Sequence, residues 1–284
     1  MSNTQLPDNV RQFLARDHGL LIGGSWQRAN GGSIDVIDPA NGQQIASIGN
    51  ASRDDVNAAV AAARAGFSSD AWRSTSPSER GAILRRTAAL IEANAEELAY
   101  LETLDNGKPL SISQSVDVTG SVGAFQYYAG WADKIHGSTY NISMPGEHHA
   151  FTLREPVGVA ALIVPWNYPL IMAAMKLGPA LAAGCACILK PAEDTSLTAI
   201  RLCELLIEAG LPEGVINLVT GYGRESGAAL AEHHDVDKVA FTGSTATGKA
   251  IVTAAAGNLK KVTLELGGKS PNIILADADL EQAI

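Results

Sequence analysis

This sequence predicts an α/β fold with a mostly parallel sheet and flanking helices. Three observations carry that expectation. First, VGVAALIV (157–164), CACILK (185–190), VINLVT (215–220) and KVAFT (238–242) are apolar throughout rather than alternating. Strands buried on both faces read this way. Second, segments of helical periodicity separate these runs, at 170–183, 195–210 and 224–232. Third, the connections are short, as strand–helix–strand units require.

The elements before this alternation are of a different kind. Within residues 22–49, IDVIDPANGQQIASI sets a turn at Pro39–Gly42 between two apolar runs and predicts a hairpin. Val56, Val60, Ala63 and Phe67 share one helical face. A second helix starts at Ser76-Pro77-Ser78-Glu79, which supplies a capping Ser, a Pro in the first turn and a Glu three residues on. Its apolar positions Ile83, Leu84, Ile91, Leu98, Leu101 and Leu104 predict one continuous helix to Asn106-Gly107, with Pro109 beyond. A third helix is expected over 113–135. From 137 to 157 the texture changes to mixed residues around a Pro-Gly turn, which predicts a protruding two-stranded β excursion. In the alternating region, Thr or Asp is expected to start the helix at 195 and Gly210 to end it.

The bulk numbers narrow the functions. The chain has 284 residues, 46% hydrophobic and 18% charged, with a net charge of −9. That composition is globular, with a sizeable core. No basic cluster exists to follow a nucleic-acid backbone or an anionic membrane, so neither partner is expected. No apolar run of 18 or more residues predicts a transmembrane span, and the N-terminus lacks a signal-peptide core. Three cysteines, Cys185, Cys187 and Cys203, make an odd count, which argues for a reducing cytoplasm rather than a disulfide framework. Cys185 and Cys187 read as core residues, the adjacent His148 and His149 as surface, and no metal site is expected.

In such sheets ligands bind at the carboxyl ends of strands, and there the chemistry-bearing residues gather. The first run ends in Val164-Pro165-Trp166-Asn167-Tyr168-Pro169. Two prolines fix the backbone around an Asn, whose amide could stabilise an oxyanion if buried; the alternative is a rigid turn with a buried Trp. The second ends in Lys190-Pro191-Ala192-Glu193, where Lys190 and Glu193 could bracket a ribose or form a surface ion pair. The third leads into Gly221-Tyr222-Gly223, a weak G-x-G pattern. The fourth leads into FTGSTATGKA (241–250), in which Gly243, Gly248 and Lys249 fit a P-loop. Ala250 stands where that loop needs a magnesium-holding hydroxyl, which disfavours a nucleotide hydrolase. A helix starting after Thr242 could still direct N–H groups at an anion, with the Ser244 hydroxyl added. Glu265, beside Gly267-Gly268, is either a general base or an exposed acid at a strand end.

Together, LDNGKP (104–109), YYAGWADKIHG (127–137), VPWNYPL, ILKPAEDTSLTA, FTGSTATGK and LELGGKSPNI, in this order, resemble the NAD(P)-dependent aldehyde dehydrogenase family from about residue 20 to the last residue. The resemblance implies a Rossmann-like sheet. It also implies a division into 1–136 (hairpin and helical part of the cofactor-binding domain), 137–157 (bridging strands of a homodimer or homotetramer), 158–268 (cofactor-binding core) and 269–284 (start of a catalytic domain). It implies Asn167 as the oxyanion-stabilising residue, Glu265 as the general base and Lys176 as a lysine near ribose and active site. Lys190 and Glu193 take the adenosine-ribose contacts. Gly243, Ser244, Thr247 and Gly248 take the phosphate-side loop, with Lys249 left as a surface residue. Ile163, Trp166, Gly223, Leu266 and Gly267 line the cofactor.

The family mechanism is covalent: a Cys thiolate attacks the aldehyde, hydride passes to the nicotinamide, and water releases the acid from a thioester. By the same resemblance, the nucleophilic Cys belongs to a segment C-terminal to ELGG, and none of the three cysteines here stands in its place. The expectation is therefore the N-terminal, cofactor-binding half of the enzyme, truncated and inactive alone. A non-catalytic NAD-binding or scaffold fragment of the same fold is the competing reading. Glu193 puts a carboxylate where a 2′-phosphate would sit, which favours NAD over NADP. Gly120, Tyr168, Ile171, Met172 and Met175 fall on substrate-tunnel positions. Being apolar, with Gly120 leaving room, they suggest a bulky apolar or aromatic aldehyde of the phenylacetaldehyde type.

Overall fold

The computed structural model describes residues 6–283. In chain order the elements are α1 (Asp8–Leu14), β1 (Leu20–Ile22), β2 (Ser25–Gln27), β3 (Ser33–Ile37), β4 (Gln44–Gly49), α2 (Arg53–Ser68), α3 (Asp70–Arg73), α4 (Pro77–Ala93), α5 (Ala95–Asn106), α6 (Leu110–Ile112) and α7 (Thr119–Trp131). Then come β5 (Thr139–Tyr140), β6 (Ala150–Phe151), β7 (Val159–Ile163), α8 (Pro169–Ala182), β8 (Ala186–Lys190), α9 (Leu197–Glu208), β9 (Ile216–Leu218), α10 (Ala228–Glu232), β10 (Lys238–Gly243), α11 (Thr245–Ala255), β11 (Lys261–Leu266) and α12 (Leu280–Ala283). None of these helices is long and apolar enough to cross a membrane.

The main sheet runs β11-β10-β7-β8-β9-β1-β2. Strands β11 to β9 are parallel, as the apolar runs predict, and β1 and β2 add an antiparallel edge from the N-terminal segment through Leu21 opposite Leu218. Burial explains the continuous apolar runs. In β7 and β8, Ala160, Leu162, Cys187 and Leu189 pack into one apolar cluster with α4, α5, α7, α8 and α9. Their neighbours Val159, Ala161, Ile163, Ala186 and Ile188 face a second cluster with α2, α10 and α11. A strand covered on both faces has no polar positions to spare. The expected hairpin is β3–β4, and the excursion is the antiparallel pair β5–β6.

Local signals place the helix starts. Ser76 and Glu79 form a complete capping box at α4, and Ser52 and Asp55 form another at α2. Three expectations need correction. The helix from Pro77 does not run unbroken to Asn106: it breaks at Asn94, whose amide donates to the Leu90 carbonyl and accepts from Arg201. A side chain that bonds its own backbone competes with the helix ladder. The helix expected at 113–135 begins three residues earlier, opens into a wider π turn at Ser113–Val118 and ends at Trp131. Helix α9 is not started by Thr195 or Asp194. Ser196 holds the cap position without capping the helix, its hydroxyl donating instead to the Ala192 carbonyl at 2.9 Å, and the Leu197 N–H is taken by Asp105 of α5 at 2.7 Å. After α5 the chain turns at Gly107 with φ +85, where a Cβ would stand 2.8 Å from Pro39.

Candidate active site

The carboxyl ends of four parallel strands line up. Ile163 stands opposite Lys190 on one side and Phe241 on the other, and Thr242 stands opposite Glu265. From β7 the chain moves to β8 and β9, then returns to β10 on the far side of β7. That reversal falls between the loops after β7 and β10, the position at which ligands of doubly wound sheets bind.

The loop after β7 stays tied to the sheet through the Val164 N–H to the Lys190 carbonyl, 3.0 Å. It then turns outward. Trp166 is 62% exposed, and Asn167 and Tyr168 are exposed with it. The buried amide and buried Trp that the sequence allowed here are thus corrected. Past Val164 the loop leaves the sheet, so both side chains stand in solvent rather than in the core. The backbone is nonetheless held: Asn106 Nδ2 donates to the Trp166 carbonyl at 2.6 Å and Lys108 Nζ to the Asn167 carbonyl at 3.1 Å.

Lys190 is not the surface ion pair that the sequence allowed. It is 1% exposed, because β8 carries it onto the face covered by Gly227, where its methylenes pack. Its ammonium donates to the Pro191 carbonyl at 2.8 Å and lies 3.7 Å from Glu193 Oε2. Burial pushes its pKa down, and Glu193 opposes that. Glu193 is half-buried, and its Oε1 faces the Gly223 N–H at 3.5 Å. The structure therefore joins the loops after β8 and β9 through one carboxylate.

After β10, Ser244 caps α11: its Oγ accepts the Thr247 N–H at 3.1 Å and lies 2.9 Å from Thr247 Oγ1. The N–H groups of Thr245 and Ala246 have no partner within the helix, by helix geometry. Gly248 is buried, and a Cβ there would stand 2.7 Å from Leu266, so the glycine lets α11 approach β11. A Cβ at Gly243 would meet the Phe241 ring at 2.4 Å. Glu265 is exposed on β11, and Gly267 follows it in the open. Lys176, on α8, has its pKa pushed down to about 8 by burial, with Glu265 opposing and Lys238 assisting. Lys176 and Glu265 are thus brought within electrostatic reach.

Tyr168, Ile171, Met172 and Met175 recur at three- and four-residue spacing along α8 and its cap, with Tyr168 and Met175 exposed. The room expected at Gly120 is filled: a Cβ there would stand 2.3 Å from Ile171 Cδ1.

Sequence reasoning missed what lies beneath the loop after β7. Glu102, Asp105 and Asp117 are fully buried. Asp117 Oδ1 accepts from Lys108 Nζ at 2.9 Å. Glu102 accepts from Lys108 Nζ at 3.4 Å, from the Leu170 N–H at 3.4 Å and from the Thr198 hydroxyl at 2.8 Å. The Lys108 ammonium also sits 4.4 Å above the Tyr168 ring. The available signal was two acids, Glu102 and Asp105, interleaved with Leu98, Leu101 and Leu104 on an apolar helix face.

A sequence model of the aldehyde dehydrogenase family matches residues 26–284. An aldehyde dehydrogenase of Emericella nidulans is 51% identical over 268 residues, covering 94% of this chain and 53% of that protein. A phenylacetaldehyde dehydrogenase of Pseudomonas fluorescens is 51% identical over 286 residues, covering 99% of this chain and 57% of that protein. Among solved structures, an NAD+ complex of an aldehyde dehydrogenase from Bacillus cereus superposes with a TM-score of 0.94 at 47% identity, covering 98% of this chain and 57% of that one. The chain thus spans about half the length of the relatives it matches.

Proposed function

The chain belongs to the aldehyde dehydrogenase family, and on that premise we propose that it serves the NAD-dependent oxidation of an aldehyde to a carboxylic acid. One observation carries this reading: Glu193, held between Lys190 and the Gly223 N–H, shares a sheet edge with the start of α11. A carboxylate accepts from ribose hydroxyls, and free first-turn amides receive a pyrophosphate. That donor set fits a dinucleotide. Ile163, Trp166, Leu266 and Gly267 line the same edge. Glu193 opposes a 2′-phosphate, which supports NAD over NADP.

When bound, NAD supplies the acceptor for the aldehyde hydride. The Asn167 amide donates to the aldehyde oxygen as it gains charge. Glu265 takes a proton from the water whose oxygen ends in the acid, and Lys176 lies within its field. Cys185, Cys187 and Cys203 are buried, and burial pushes each thiol above its ordinary pKa, so none offers a thiolate to this edge. The 284 residues are therefore proposed to bind NAD without oxidising aldehyde.

The stripe Tyr168, Ile171, Met172 and Met175 supports an apolar or aromatic aldehyde, in line with the phenylacetaldehyde dehydrogenase relative. Exposed Tyr140, Ile142, Met144, Phe151 and Leu153 on the β5–β6 excursion support a homodimer or homotetramer. Three free cysteines agree with the cytoplasm. Calorimetric titration of the 284-residue chain tests the reading. Saturable NAD binding, weaker NADP binding and no NADH on adding phenylacetaldehyde are expected. Absence of NAD binding would overturn it.

A further inference from the structure

The loop that carries Asn167 is pinned from below by one short stretch of chain. Asn106 holds the Trp166 carbonyl, Lys108 holds the Asn167 carbonyl, and Glu102 holds the Leu170 N–H. All three anchors come from residues 102–108, at the end of α5 and just past it. Lys108 is the centre of this arrangement. Its ammonium has three hydrogens and three acceptors: Asp117 Oδ1 at 2.9 Å, the Asn167 carbonyl at 3.1 Å and Glu102 Oε1 at 3.4 Å. Its side chain is 10% exposed, and both carboxylates are fully buried.

We propose that Lys108 is a positioning residue for Asn167, clamped by Asp117 and Glu102 so that the Asn167 amide meets the reacting aldehyde oxygen in a fixed orientation. This rests on the aldehyde dehydrogenase reading above. The physical case is the cost of the arrangement. Burying two acids around one ammonium is unfavourable in solvation, and apolar residues of similar volume are often at least as stable. Burial and the neighbouring Asp117 both push Glu102 up, to about 7, with Lys108 opposing. What apolar replacements would not do is donate to the Asn167 carbonyl. A carbonyl fixed on the inner side of the loop sets the rotation of the peptide and of the side chain on its outer side. Errors of about 1 Å in such placement lower turnover roughly a hundredfold.

The test uses the protein expressed from its complete reading frame. Removing Lys108 alone strands two buried acids, so the informative variant is Lys108→Met with Asp117→Asn, and Lys108→Arg is the conservative control. The double variant is expected to lower kcat about 10- to 100-fold with the KM for aldehyde and the Kd for NAD unchanged, as loss of a transition-state contact does. Lys108→Arg should recover part of kcat. Independently of activity, amide hydrogen exchange at residues 166–170 should accelerate in the double variant while β7 and β8 stay protected. Unchanged kcat in an active protein, or unchanged exchange at 166–170, would overturn the proposal. Absence of NAD binding in the reference protein counts against the earlier reading instead, and in a protein that oxidises no aldehyde, as proposed for the 284 residues alone, the exchange measurement decides this one.

Discussion

Asp105 starts a helix to which it does not belong: its Oδ2 accepts the Leu197 N–H at 2.7 Å, 92 residues further along the chain. Glu102, one turn earlier on α5, meets the Leu170 N–H of α8 in the same way at 3.4 Å. The two helices that follow the loops after β7 and β8 are therefore begun by acids of a third helix, which ties both loops to one rigid element.

Asp105 is fully buried, and burial pushes its pKa well up, with the Leu197 N–H opposing. Asn in its place keeps an oxygen that can accept the Leu197 N–H, whereas Ala has none. Asp105→Asn should cost less than about 1 kcal/mol and Asp105→Ala about 1–2 kcal/mol, the range for lost caps. Urea denaturation of the three proteins separates these outcomes, and equal losses would count against the cap.

Glu102 gives a pH dependence with a definite sign. Its pKa, pushed up to about 7 in the fold, exceeds the ordinary 4.5. Between those values the folded state holds a proton that the unfolded state has released, so stability falls as pH rises from about 4.5 to 7 and then levels. Glu102→Gln should flatten that fall, because Gln does not ionise. Thermal melts from pH 5 to 8 check it, and parallel slopes would place the proton elsewhere.

Gly66 of α2 meets Gly214 backbone to backbone: a Cβ on Gly66 would stand 2.4 Å from the Gly214 carbonyl carbon. No rotamer change relieves a clash with main chain. Gly66→Ala should destabilise by about 1–3 kcal/mol, the usual range for overpacking, despite its better helix propensity. A midpoint equal to the reference would show that the loop before β9 can retreat.

Glu193→Gln removes the charge facing Lys190, while its amide oxygen can still accept from the Gly223 N–H. If that carboxylate selects the cofactor, the NAD-to-NADP affinity ratio should fall by roughly tenfold or more, the scale of one charged hydrogen bond. Titration of both dinucleotides reads the ratio directly, and an unchanged ratio would move the selection away from Glu193.

What could be read from the sequence was local. The capping box at Ser76 and Glu79 spans four residues and needs no tertiary partner. The strands buried on both faces announced themselves by lacking polar positions. The motif order carried the family. What could not be read depends on distant partners. Asn94 breaks its helix while paired to Arg201, Asp105 replaces the expected cap at 195, and Ile171 fills the space at Gly120. Lys190 looks like a surface lysine until β8 is known to turn it toward Gly227. Lys108 gave no sign of its role, because its partners come from α5, the π turn and the loop after β7.

The order in which the sheet is assembled has a consequence for synthesis on the ribosome. β8 can join β7 soon after it emerges, but the other neighbour of β7 is β10, about 75 residues downstream. At 5–20 residues per second, the free edge of Val159–Ile163 waits roughly 4–15 s for its partner. Throughout that interval an apolar strand offers unpaired backbone to any other nascent chain, the usual route to edge-to-edge aggregation. Yield should therefore respond to translation speed across residues 164–238 more than to changes in the finished fold.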